Sequence, residues 1–218
     1  MDFYTVLIFF HVVVFAVWFG GHLGVLTLLR QARSPRLDPE HRGFTLRLAM
    51  RIDRLPRTAF ALTPALGLTL AQSWGSPVRG VWLLLVWAVT AAWIAFVWIV
   101  PRESETPRAR MLRKVEGALM VAGGLAFIIY GLYELFVGQQ IIGKWLALKM
   151  ALFGLVPLPS LWIGSAMHRL RPAMDELSAA RKPIPAKIAR AIDIASAASL
   201  VVYALLIAAA FIGATKPI

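Results

Sequence analysis

The chain has 218 residues, 59% of them hydrophobic and 16% charged, with a formal net charge of +12 and no cysteine. That is far more apolar than a soluble domain of this length, so the expected class is an integral membrane protein. The missing cysteines exclude disulfides, thiolate metal sites and covalently attached c-type haem, which needs two cysteines and a histidine in sequence.

Six continuously apolar runs are long enough to cross a bilayer as helices, near 4–29, 54–74, 80–101, 115–137, 144–167 and 191–213. They do not alternate in polarity, so an outer-membrane barrel is excluded. The prediction is an all-α polytopic bundle over 1–218 as a single domain, with six transmembrane helices. Eight arginines fall between Arg30 and Arg57, five basic residues between Arg102 and Lys114, and six between Arg169 and Arg190. By the positive-inside rule these segments are cytoplasmic, both termini lie outside, and the setting is a bacterial-type inner (plasma) membrane. The charge is therefore read as a topology signal with attraction to anionic lipid, and not as a nucleic-acid surface.

The first run holds His11 and His22 in HVVVFAVWFGGH. Eleven residues turn a helix by three revolutions and roughly 20°, so both imidazoles share a face at depths about 16 Å apart. The apolar run is too long for a signal peptide and is expected to be retained. Gly20, Gly21 and Gly24 leave room beside His22 for a bulky neighbour. A histidine within a span is a functional candidate by default, set against the alternative that it only hydrogen-bonds a neighbouring helix.

Next comes a basic segment opened by Ser34-Pro35 and Asp38-Pro39. From His41 to Arg57 it has Phe44, Leu48 and Ile52 at helical spacing, which predicts an amphipathic surface helix; His41 reads as solvated. Pro64 is expected to bend the second run. In the third, Trp82 and Trp98 suit the two interfacial belts, while Trp87 and Trp93 sit deeper as packing residues.

The 101–114 segment reads as a solvated connector. Glu116 and Met120 follow near the inner end of the fourth run, and Glu134 near its outer end. Gly123-Gly124 echoes Gly20-Gly21, so the first and fourth helices are expected to approach each other. The fifth run opens with GKWLALKMALFG, in which Lys149 lies about 7 Å inside Lys144 and either snorkels outward or pairs with a buried group. Pro157 and Pro159 should kink this helix, and His168 ends it at the interface. Pro183 and Pro185 mark the last loop, and Asp193 is placed at the start of the final run.

Imidazole suits haem iron and copper, and methionine suits Cu(I) or low-spin haem. The leading expectation is a membrane electron-transfer protein binding haem b, with His11 and His22 as axial ligands, Met120 as a candidate partner of His22, and Lys149 near a propionate. One haem or two stays open. Quinone or another membrane redox subunit would be its electron partner, with oligomeric state undetermined. The alternative is copper transport or resistance through His11, His22, Met120, Met150 and Met167, with His168 a weaker metal candidate. A third alternative is a structural or assembly subunit without cofactor.

The opening FHVVVFAVWFGGHLGVLTLLR resembles the first span of the superfamily that contains the copper resistance protein D domain and HemJ-type protoporphyrinogen oxidases. GKWLALKMALFG is similar to the Trp-x-x-x-Lys motif that opens a later span there, RIDRLPRTAFALTPALGLTL resembles the span between, and the terminal KPI is similar to the HemJ ending. Together they cover about half of the chain. The resemblance implies a helical bundle with His11 and Lys149 as the functional positions, b-type haem in the HemJ branch and copper handling in the other. Two spans beyond the compact HemJ pattern, and TLLRQARS in place of an aromatic and basic run, set porphyrinogen oxidation aside as the leading activity. His22 lies outside the shared pattern.

Overall fold

The computed structural model describes residues 2–34, 36–99, 106–138, 142–170 and 185–216. The expected Pro35, Arg102, Arg171, Arg181, Lys182 and Pro183 features, and all of KPI but its lysine, lie outside these residues. Among them the chain forms eight α-helices and one 3₁₀ turn and no strand: α1 Phe3–Arg33, α2 Pro39–Ile52, α3 Arg54–Ala71, the turn Gln72–Trp74, α4 Val81–Ile99, α5 Pro107–Phe136, α6 Lys144–Leu155, α7 Pro157–Leu170 and α8 Ala186–Thr215. Five stretches are long and apolar enough to cross a membrane, namely α1, α4, α5, α6 with α7, and α8. This marks the chain as a helical membrane protein. The sixth predicted span, α3, is helical over 18 residues, but Arg54 and Arg57 occupy its first turn and lower its apolarity.

The helices follow one another around an incomplete ring. α3 packs on α4 and α1, α1 on α8, α8 on α6 and α7, and α6 on α5. The start of α1 and the end of α8 share one end of the bundle, called here the termini end; Tyr4, Trp74, Trp145 and Lys216 meet there. Asp2 caps α1 by accepting the Thr5 amide at 2.8 Å. Hydrogen bonds from the Thr5 side chain and amide hold the Asp2 carboxyl below the usual carboxylate range.

The opposite, basic end is tied by polar contacts that spacing alone does not reveal. Arg42 is buried, and its guanidinium donates to the carbonyls of Ala32 at 3.0 Å, Ser34 at 3.2 Å and Leu37 at 2.9 Å. These carbonyls lie at and just beyond the end of α1, so Arg42 supplies the cap that the sequence there lacks. Arg57 pairs with Glu116 of α5, both side chains about nine-tenths buried, and Trp93 of α4 donates to the same carboxylate oxygen at 3.3 Å. Arg33 and Asp193 form an exposed pair at 3.4 Å.

Several expectations change. The amphipathic helix ends at Ile52 and buries Leu46, Ala49 and Met50 against α1, leaving Phe44 outward. Its core face is set by contact with α1, one residue-step around from the predicted Phe44–Leu48–Ile52 stripe. His41 is exposed but belongs to α2, 3.8 Å from Asp38. The predicted connector after residue 106 is already α5, and Asp193 lies two turns inside α8. α3 is helical on both sides of Pro64, and Val156 interrupts the fifth run before Pro157, where a kink is expected.

The expected approach of the two double glycines does not occur. Gly20 and Gly123 face open space, while Gly21 sits against Pro56 and Gly124 against Gly154 and Pro157. The small residues of α5 serve α6 instead: a methyl group on Gly131 would lie 2.5 Å from the Ala147 carbonyl oxygen. Close backbone approach of this kind is what small residues provide in apolar surroundings, where van der Waals packing drives helix association.

Candidate functional site

The unbroken helix α1 presents His11, Phe15, Trp18 and His22 at steps of four, three and four residues, so one inward stripe carries both histidines with two aromatic rings between them. The neighbours differ at each level. His11 lies over Gly67 of α3, whose missing side chain leaves van der Waals room for the imidazole. His22 is only 5% exposed and packs edge-on against Tyr203 of α8, ring centroids 5.8 Å apart. Asp53, itself buried, is near enough for its charge to act on His22.

His11 lines a cavity of about 420 Å3 in the termini half of the bundle, bounded by α1, α3, α6 and α8 with Phe127 from α5. That volume lies within the ordinary range for small-molecule sites. The walls are almost wholly apolar, with Phe15, Pro64, Leu68, Leu206 and Ala210 among them. Lys149 reaches into the same space from α6. Its ammonium packs on Gly213 of α8, where an added methyl would come within 2.6 Å of Nζ.

Of the two sequence alternatives for Lys149, snorkelling outward or pairing with a buried group, the second finds no buried partner among the described residues, and the side chain runs towards Gly213 near the end of α8. No ion pair or hydrogen bond ties its amine among the described residues. His11 is close enough for the charge of Lys149 to act on it, and its Nδ1 is buried without a hydrogen-bond partner. The imidazole and the ammonium thus line an apolar space, and among the described residues no hydrogen bond satisfies His11 Nδ1 or Lys149 Nζ. An anionic or coordinating guest is the chemistry they are suited to.

The floor of the cavity is aromatic. Trp18 meets Phe60 and Phe153 edge-on at 5.6 and 6.0 Å, Phe60 stacks on Phe153 at 5.4 Å, and Phe127 closes on Phe153 at 5.2 Å. Such pairs hold their geometry by more than area burial. Trp93 continues the layer from Phe60 at 5.8 Å and ends at Glu116. The roof is also aromatic: Trp74 donates to the Tyr4 hydroxyl at 3.2 Å and meets Trp145 edge-on at 5.4 Å. Lys216 lies over both indoles, 4.5 and 5.4 Å from their centroids, a cation–π arrangement.

Of the residues singled out from sequence, the structure brings His11, Lys149 and Met150 onto one cavity. His22 is excluded from it by Trp18, and both of its nitrogens are buried and unbonded. Gly20 faces outward, Gly21 packs on Pro56, and Met120 is a partly buried residue against the core. Met167 is buried in that core and His168 is exposed at the end of α7. Among the described residues no group of three or more histidine, cysteine, aspartate or glutamate side chains is placed to hold a metal ion.

The sequence reading missed the aromatic floor, the roof and Met150 as a neighbour of His11. A signal for the roof was present in two tryptophans, Trp74 and Trp145, next to turns at the same end. No family model, curated protein or solved structure matches the chain.

Proposed function

We propose that the protein is a membrane redox protein that holds a single b-type haem in the termini-end cavity. The observation that carries this reading is the placement of an unbonded imidazole, His11, and an unpaired ammonium, Lys149, on one apolar cavity with aromatic walls. A flat, apolar group with a metal centre and an anionic edge matches those three features. His11 would hold the iron and Lys149 a propionate, with Met150 a further donor lining the same cavity. When bound, the haem supplies one-electron chemistry.

The protein's own residues hold the group away from water and neutralise its anionic edge. The aromatic floor separates it from the basic half. His22 lies off this cavity, so the reading takes one haem where the sequence left one or two open. Copper handling is the weaker reading, because an ammonium beside His11 repels a metal cation and favours an anion.

The resemblance to the copper resistance protein D and HemJ superfamily points to the same two residues. The topology supporting this function has six spans, with α3 crossing as the sixth, the basic end in the cytoplasm and both termini outside a bacterial-type inner membrane. Electron partners would be a quinone or another membrane subunit.

The test is direct. Protein purified after haem-sufficient expression should show a Soret band that shifts with dithionite, and His11→Ala should abolish it while His22→Ala retains it. Stoichiometric copper without haem would support the copper reading. A colourless, metal-free protein whose partner activity survives both substitutions would support a structural subunit.

A further inference from the structure

The ring of helices is not closed. Each neighbouring pair from α4 through α3, α1, α8 and α6 to α5 packs closely, but neither α3 nor α4 packs closely on α5 or α6. Ring contacts, a hydrogen bond and an ion pair join the two edges of the ring at two levels. At mid-depth and below, Phe60–Phe153, Trp93–Glu116 and Arg57–Glu116 bridge them. At the termini end, Trp74–Trp145 bridges them under Lys216. Between these levels lies the cavity with His11 and Lys149. We infer that the gap between α3 and α6, above the aromatic floor and below the Trp74–Trp145 roof, is a lateral portal through which the cavity is loaded from the bilayer with a lipid-dissolved molecule bearing a carboxylate.

The physical case has three parts. Helices that leave a gap in a membrane bundle are flanked by acyl chains, so a space there communicates with lipid and not with water. The aqueous end is covered by residues from three helices and the turn, tied by a hydrogen bond, an edge-on ring pair and two cation–π contacts. Two cations line the space: Lys216 is engaged by the Trp74 and Trp145 rings, while Lys149 has no partner among the described residues, so the guest that gains most is apolar over its body and anionic at one point. This rests on the cavity being a ligand site, and not on haem being its occupant.

The absence of cysteine makes the route measurable. Ala210→Cys places one thiol on the cavity wall, and Ser73→Cys gives an exposed reference at the termini end. In vesicles each is treated with N-dodecylmaleimide, which dissolves in lipid, or with a sulfonated maleimide, which does not cross it. The preference of Ala210→Cys for the lipid-dissolved reagent, relative to the reference, should be about tenfold or more, since a sulfonate must be desolvated to enter. Adding Met150→Trp, on the α6 side of the cavity, should slow that reaction several-fold.

Labelling of Ala210→Cys by the sulfonated reagent at the reference rate would overturn the portal, as would no labelling by either reagent or a lipid route indifferent to Met150→Trp. If Ala210→Cys does not fold, Leu68→Cys on the α3 wall is read in the same way. Preparations with and without a Soret band are labelled in parallel: a bound haem would shield Ala210→Cys from both reagents alike, whereas a failed portal shows in the haem-free protein, so the failure of the haem reading and the failure of the portal are separable.

Discussion

The two halves of α1 carry the same residue type on the same face and give it opposite surroundings. At the basic end, His22 is packed among Tyr203, Asp53 and the core, and the helices around it are pinned by Arg42 and by Arg57 with Glu116. At the termini end, His11 faces a cavity, and Lys149 on the same cavity has no partner among the described residues. The comparison teaches that helical phase decides which way a side chain points, and that neighbouring helices decide whether it meets packing or space.

Breaking the tight half should have the largest effect. Glu116→Ala strips the partner from a buried arginine and the acceptor from Trp93, and such losses cost about 3–5 kcal/mol. Thermal unfolding in detergent should show a large fall; an unchanged midpoint would mean the basic half is not pinned there. In the open half the sign reverses. Lys149→Met removes an unpaired cation and should raise the stability of the empty protein by about 1–3 kcal/mol, while weakening binding of a carboxylate-bearing ligand. A loss of stability would show that the ammonium is already satisfied.

His22→Leu sharpens the contrast at smaller scale. Both imidazole nitrogens are buried without partners, so an apolar replacement of similar volume should change stability by no more than about 1 kcal/mol. A fall of several kcal/mol would show that His22 makes a bond its neighbours do not reveal. The smallest effect is at Asp2. Its lowered carboxyl contributes stability that is present above its unfolded pKa of about 4 and is lost as pH falls through the folded value. The acid-induced drop in melting temperature should therefore be slightly smaller in Asp2→Asn than in the parent.

Much of the architecture was legible because apolar run length and basic segments are strong signals in a membrane chain. The shared face of His11 and His22 followed from helical periodicity, and Pro157 marked a real break. What was not legible depended on partners distant in sequence. Arg42 reads as one basic residue among eight until the carbonyls of Ala32, Ser34 and Leu37 are seen around it. The double glycines looked alike, yet Gly124 meets α6 and α7 while Gly20 meets nothing, because glycine records that something comes close and not what. Lys149 was placed at the right depth, but its direction depends on Gly213, 64 positions away in the chain.

One spectrum bears most directly on the claim that the two histidines are unequal. Absorption of the purified wild type, His11→Ala and His22→Ala, before and after dithionite, should show a reducible Soret band in the wild type and His22→Ala and none in His11→Ala. A band that survives loss of His11 and disappears with His22 would contradict the assignment of the cavity as the haem site.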